Sequence, residues 1–285
     1  MKIKKSLSNE YIQGGGVWVR NFAKHSNTPL TASNLYDHKD YGMIAHNEQV
    51  NAVRPRIAEE AISFKKVVII SDGYNFKERH EIIAQMPKDI CVLAINGALK
   101  DWKLKGKRSI NAYVVNNPYS ECTGFLPKST GYYPICISSV RTNFNFTQAY
   151  KNDVYVYCPT PDGKFGGEYN EKYYIDDYRN PVCAAIGIAY QFGVESLMLM
   201  CCDESFSKER DYAVKLKNGL WTYPQHIRSK EIIDANLYWL THQENKEVKV
   251  VDFSDAGDYF NATYINEEKD ALNFFATGEE PNGTK

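Results

Sequence analysis

The hydrophobic pattern of the chain is clearest between Val67 and Gly97, where one arrangement occurs twice. An apolar run, VVIISDG, ends in small polar residues; a polar stretch, KERHEIIAQM, follows; a second apolar run, CVLAING, then ends in the same way. Short runs rich in branched residues, without polar alternation, predict strands buried on both faces, and the stretch between them has the length of one covering helix. The unit is therefore βαβ. Open parallel sheets built from such units bind ligands beyond the carboxyl ends of their strands, so Ser71 to Asn75 and Asn96 to Ala98 are expected side by side at a pocket mouth.

Further strands are predicted at Ala112 to Val115, Tyr133 to Ser138, Val154 to Tyr157, Leu197 to Cys202 and Val248 to Phe253. Helices are predicted at Phe76 to Met86, Pro181 to Phe192 and Pro224 to Thr241. The second has clear punctuation: Asn180 can cap it, Pro181 suits its first turn and Gly193 suits its stop. The third places Ile233, Leu237 and Leu240 on one face. Fold class follows as α/β, a Rossmann-like and mainly parallel sheet with helices on both faces, plus an N-terminal arm or cap. Residues 1–60 form that arm, with helical character only from Ala52 to Phe64; residues 61–270 form the Rossmann-like domain; 271–285 form a flexible tail.

Composition narrows the partners. Lysine plus arginine (34) nearly balance aspartate plus glutamate (35), so no global field favours nucleic acid or an anionic membrane. No apolar stretch approaches the roughly 20 residues that span a bilayer, and the basic start MKIKKSLSNEYIQGGG lacks the apolar core of a signal peptide, which makes a cytoplasmic location the expectation. Seven cysteines show no CxxC spacing, several lie inside apolar runs, and buried free thiols are expected rather than a metal site or disulfides.

The strand ends carry the candidate chemistry. SDGYNF is neither a Walker loop nor a GxGxxG turn, yet Gly73 permits close backbone approach, and amides at the start of the following helix, near Asn75, can hold an anion. Asn96 offers an amide to a base or ribose edge, beside the thin wall of Gly97, and Asn117 ends a third strand just before Pro118. Asp203 follows a wholly apolar run; a carboxylate there can bind a ribose hydroxyl, a metal-bound water or a proton in transit, or simply cap a turn. His226, near the start of the third helix, titrates near neutrality and is the candidate base for an acceptor hydroxyl. Tyr223, with Tyr173, Tyr174 and Tyr178, can donate hydrogen bonds to a leaving phosphate, and Arg179 can pair with it.

The order VVIISDG, VLAINGAL, YVVNNP, GVESLMLMCCDESF and YPQHIRSKEIIDANLYWL resembles a known superfamily over about residues 65–265. That superfamily joins bacterial family-42 sialyltransferases, motility accessory factor glycosyltransferases and 6-hydroxymethylpterin pyrophosphokinases (MptE-like). The resemblance implies a nucleotide held by Gly73, Asn96 and Asn117, a strand-end carboxylate at Asp203 and a base at His226. It departs at the first turn, where the family's G-x-G-P-S is replaced by Ser71-Asp72-Gly73-Tyr74-Asn75, placing a negative charge opposite any phosphate. It departs again at Cys202, where a glycine usually precedes the aspartate.

The leading expectation is a nucleotide-dependent transferase, a sialyltransferase-like glycosyltransferase whose donor is a nucleotide-activated sugar, cytidine-linked, and whose acceptor is a small molecule or glycan. A pyrophosphokinase using ATP and magnesium in the same pocket stands as the alternative. A third reading is a non-catalytic structural or assembly protein that reuses the fold, with residues 1–60 contacting a protein partner or a second copy.

Overall fold

The first apolar run forms β1, Lys66–Ile70, in which Val67 through Ile70 are wholly buried, and the second forms β2, Cys91–Ile95, buried throughout. Burying each such side chain contributes about 1.5–3 kcal/mol, which is why neither run alternates with polar residues. The computed structural model describes residues 64–277 except 101, 103–107, 118–119, 128–132, 140–141, 153, 160–173, 176, 179, 204, 211, 245–246 and 256–258. The expected arm at 1–60, Arg179, Tyr173 and the last eight residues lie outside the described residues. Two compact units emerge, the described parts of which are 112–184 and 64–111 together with 185–277.

In the second of these, five strands stand in the order β11-β10-β7-β1-β2, all paired in parallel. Here β7 is Ser196–Met200, β10 is Lys249–Phe253 and β11 is Thr263–Tyr264. Ile70 is in register with both Ala94 and Met200, and Met200 with Phe253, so four carboxyl ends are level. The chain leaves β1 toward β2 on one side and returns as β7 on the other, which makes the crevice beside β1 a topological switch point.

Helices lie on both faces of this sheet. Side chains of successive residues in β10 point to opposite faces. Asp252 senses the charge of Lys230 on α4, Pro224–Thr241, while Phe253 carries the guanidinium of Arg79 from α1, Phe76–Arg79, 4.2 Å from its ring centroid. Ile233, Leu237 and Leu240 of α4 are fully buried, as the spacing predicts. A hairpin of β8, Val214–Lys215, and β9, Trp221–Thr222, precedes α4.

Three differences from the predicted elements have local causes. The helix expected over Phe76 to Met86 stops as α1 at Arg79 and continues as a 3-10 turn, His80–Gln85. The Nδ1 of His80 donates to the carbonyls of Phe76, at 2.9 Å, and Lys77, at 3.0 Å, and its ring stacks on Phe76, so the side chain shares the Phe76 carbonyl with the His80 amide and competes for that of Lys77. Residues 271–277, expected to belong to a flexible tail, instead lie in α5, Glu268–Thr277, which buries Ala271, Phe274 and Phe275. The strand expected at Leu197 to Cys202 ends at Met200, where Cys201 turns to a φ of 53°.

In the other unit β3, Ala112–Val115, β4, Ile135–Ser139, β5, Val154–Pro159, and β6, Tyr174–Ile175, pair in parallel in that order. Asn143 caps α2, Phe144–Ala149, by accepting from the Asn145 amide at 3.0 Å, and Tyr113, Phe146 and Tyr150 stack beneath it. Asn180 accepts from the Val182 amide at 2.8 Å and so starts α3, Pro181–Gln191, while Gly193 ends that run at a φ of 84°.

Candidate active site

Three of the strand ends bear a non-glycine residue in the left-handed region: Asn75 after β1 (φ 62°), Asn96 after β2 (φ 51°) and Cys201 after β7 (φ 53°). Asparagine tolerates this conformation, whereas a cysteine holds it at a cost of about 1–3 kcal/mol and needs its surroundings to enforce it. The enforcement is visible: the Gly73 amide donates to the Cys201 carbonyl at 3.1 Å, and the Ser71 amide to the Met200 carbonyl at 3.1 Å.

The two glycines singled out by the strand-end pattern each make room for a carboxylate. A Cβ on Gly73 would collide with the Oδ1 of Asp203 and with the Cys201 carbonyl; one on Gly97 would collide with the carboxylate of Asp72. The turn after β1 is thereby flanked by two carboxylates, Asp203 fully buried and Asp72 exposed. Asp203 accepts from the Ser205 amide at 3.2 Å. Asn96 donates to the Ser71 hydroxyl at 3.1 Å, which in turn lies 3.4 Å from Asp72.

The Asn75 side chain is engaged within the protein. Its amide donates to Asp255 at 2.7 Å, and the other oxygen of Asp255 takes the Arg79 guanidinium at 2.5 Å, so Asn75 is committed to a clamp between the loops after β1 and β10. With four residues, α1 is also too short to present a helix N-terminus to an anion. Asn218, in the β8–β9 hairpin, donates to the Asp255 carbonyl at 3.1 Å and ties that hairpin to the same residue.

His226 sits in the first turn of α4, half-buried, its ring edge-on to Tyr223 at 5.4 Å; Tyr223 in turn packs on Phe206 at 5.2 Å. Asn117 belongs to the unit of β3, where it is half-buried and its carbonyl accepts from the Asn143 amide at 2.9 Å. Among the described residues no three or more His, Cys, Asp or Glu side chains come together as a metal site.

A solved structure has a similar backbone. No family model and no curated protein matches the chain. The structure of MAf glycosyltransferase from Magnetospirillum magneticum AMB-1 superimposes with a TM-score of 0.54 at 12% identity, over 72% of this chain and 37% of that one. The two chains share a backbone fold. This chain thus spans little more than a third of the length of that neighbour.

In the described sheet, Gly73, Asn96, Gly97 and Asp203 meet at adjoining strand ends, as the pattern predicted. Arg79, Asp252 and Asp255 were not singled out. Asp255 carried a usable signal, since VVDFSD ends in a carboxylate just as VVIISD does. Asp252 stands within β10, only 1% exposed. Burial pushes its carboxyl up to about 8, the Asp203 charge adds to this, and the Ser254 hydroxyl, Lys230 and Arg79 work against it.

Proposed function

We propose that the protein is a nucleotide-dependent transferase of the glycosyltransferase type, using a nucleotide-activated sugar of the sialic-acid kind. The observation that carries this reading is the convergence of Gly73, Asn96, Gly97 and Asp203 at the level carboxyl ends of β1, β2 and β7, in a fold shared with a glycosyltransferase. The turns at Gly73 and Asn96 hold the nucleotide. His226 takes the proton of the acceptor hydroxyl as that oxygen bonds to the anomeric carbon, while the carbon–phosphate oxygen bond breaks and the phosphate departs with the electron pair. Tyr223 stabilises the departing phosphate.

A thermal-shift panel of cytidine, uridine and adenine nucleotides, with and without magnesium, tests the reading. Stabilisation by a cytidine nucleotide without metal is the expected result; magnesium-dependent stabilisation by ATP selects the pyrophosphokinase instead, and no shift with any nucleotide removes both enzymes. Once a donor is found, His226→Ala is expected to lower kcat by about 10²–10⁴-fold, and full retained activity would remove the proposed base.

A further inference from the structure

Helix α4 carries apolar side chains on both of its faces. The inward stripe, Ile233, Leu237 and Leu240, is fully buried, but on the outward side Ile227, Tyr238 and Trp239 are 43%, 55% and 44% exposed. At 3.6 residues per turn, Ile227, Arg228, Glu231, Ala235, Tyr238 and Trp239 fall on one face, and all six are exposed. The loop after β10 extends that face: the Asn261 amide donates to the Asp234 carboxylate at 3.0 Å and its side chain to the Asp234 carbonyl at 3.3 Å, which fastens Phe260, 94% exposed, beside the helix. Eight large apolar side chains are exposed among the described residues, and half of them gather here. Single exposed apolar residues are ordinary on a protein surface, whereas a cluster rimmed by charge marks a contact. The rings are also ordered in advance, Trp239 edge-on to Tyr190 of α3 at 4.8 Å and Tyr238 stacked on His242 at 4.0 Å, so little freedom is lost when they are covered.

The charges select what covers them. Arg228 and Glu244 are exposed and, among the described residues, neither takes part in an ion pair. Arg228 stands seven residues before Ala235 and Glu244 nine after it, with α4 ending at Thr241. Two α4 helices laid antiparallel and crossing at Ala235 therefore bring Arg228 of each copy beside the Glu244 turn of the other, and a two-fold axis gives this opposite-charge contact twice. The same axis puts Tyr238 and Phe260 of both copies on one flank, and the small side chain of Ala235 lets the helices approach closely. We propose that the outer face of α4, with Phe260, is a self-association surface on which a second copy of this chain packs its own α4 antiparallel. The partner is thus chosen by self-complementarity: an apolar centre that meets itself, between ends of opposite charge.

Sedimentation of the full chain over about a hundredfold range of concentration tests this, because pairing follows mass action. A monomer–dimer equilibrium is expected. Phe260→Asp should weaken it about tenfold or more. Arg228→Glu and Glu244→Arg should each weaken it about tenfold, and the two together should restore it to within about threefold of the native chain. All three side chains are exposed, so thermal midpoints taken at concentrations where the chain is monomeric should stay at the native value and separate lost pairing from lost folding. The crossing also places the two Ala235 backbones about 5 Å apart, within the span of a disulfide, so mild oxidation of Ala235→Cys should link two copies. A native chain that stays monomeric, a dimer that the single reversals leave unchanged, a double reversal that fails to recover, or no link through Ala235→Cys would each overturn the proposal. A monomer in which the thiol of Ala235→Cys is shielded from a soluble reagent would likewise overturn it and assign the face to residues 1–60 of the same chain.

Discussion

Gly73 and Gly97 look alike in sequence and differ in what they face. A methyl on Gly97 meets the carboxylate of Asp72, which is exposed and can swing away, whereas a methyl on Gly73 meets the backbone of Cys201 and the buried Asp203, neither of which has room to move. Gly73→Ala is therefore expected to destabilise by about 1–3 kcal/mol, as overpacking does, and Gly97→Ala by less than about 1 kcal/mol. Urea denaturation of both variants checks the contrast, and equal losses would mean that the two carboxylates are held alike. Strand-end reasoning located these glycines, Asn96 and Asp203 because each follows its apolar run directly. It could not show that Asn75 answers to Asp255, since the partners lie 180 residues apart and no local pattern encodes the pairing.

At the scale of elements, Asp255 joins three segments that the sequence leaves separate: the loop into α1 through Asn75, α1 itself through Arg79, and the β8–β9 hairpin through Asn218. The Arg79 and Asp255 side chains are only 12% and 21% exposed, so their pairing is poorly screened by water. Removing the carboxylate leaves a cation partly enclosed without its partner. Asp255→Ala is expected to cost about 2–4 kcal/mol and to raise backbone exchange in the hairpin, while Asp255→Asn retains part of the network and loses less. Unchanged hairpin exchange in Asp255→Ala would refute the clamp. Elements marked by local cues were legible: Asn180, Pro181 and Gly193 bound α3 in the structure as in the sequence. The split at His80 was not legible, because a histidine side chain bonding backward to Phe76 and Lys77 competes with the helix only once Phe76 is packed beneath it.

At the scale of the molecule, the cysteines act as reporters of how the two units unfold. Cys91, Cys122, Cys136, Cys183, Cys201 and Cys202 are free and buried, in agreement with the reading from spacing. Burial pushes every thiol for which a shift is resolved upward: Cys122 is pushed up to about 12, and Cys91, Cys136, Cys201 and Cys202 rise well above the ordinary value. Burial shields all six, and the thiols that are pushed up carry little thiolate as well, so the six should resist a thiol reagent while the fold persists and react fully in denaturant. Labelling then follows opening of the unit that holds each thiol. Cys91 on β2 lies one strand to one side of β1, and Cys201 and Cys202 follow β7 on the other side, so their labelling should share one denaturant midpoint. Cys122 and Cys136 belong with β3 and β4, and should share a midpoint of their own, whether or not it coincides with the first. Mass spectrometry of pulse-labelled protein resolves each site. A midpoint for Cys91 that departs from that of Cys201 would mean that β1 does not bind its two neighbours into one cooperative unit, and the level strand ends on which the candidate site depends would then not be held together by the sheet.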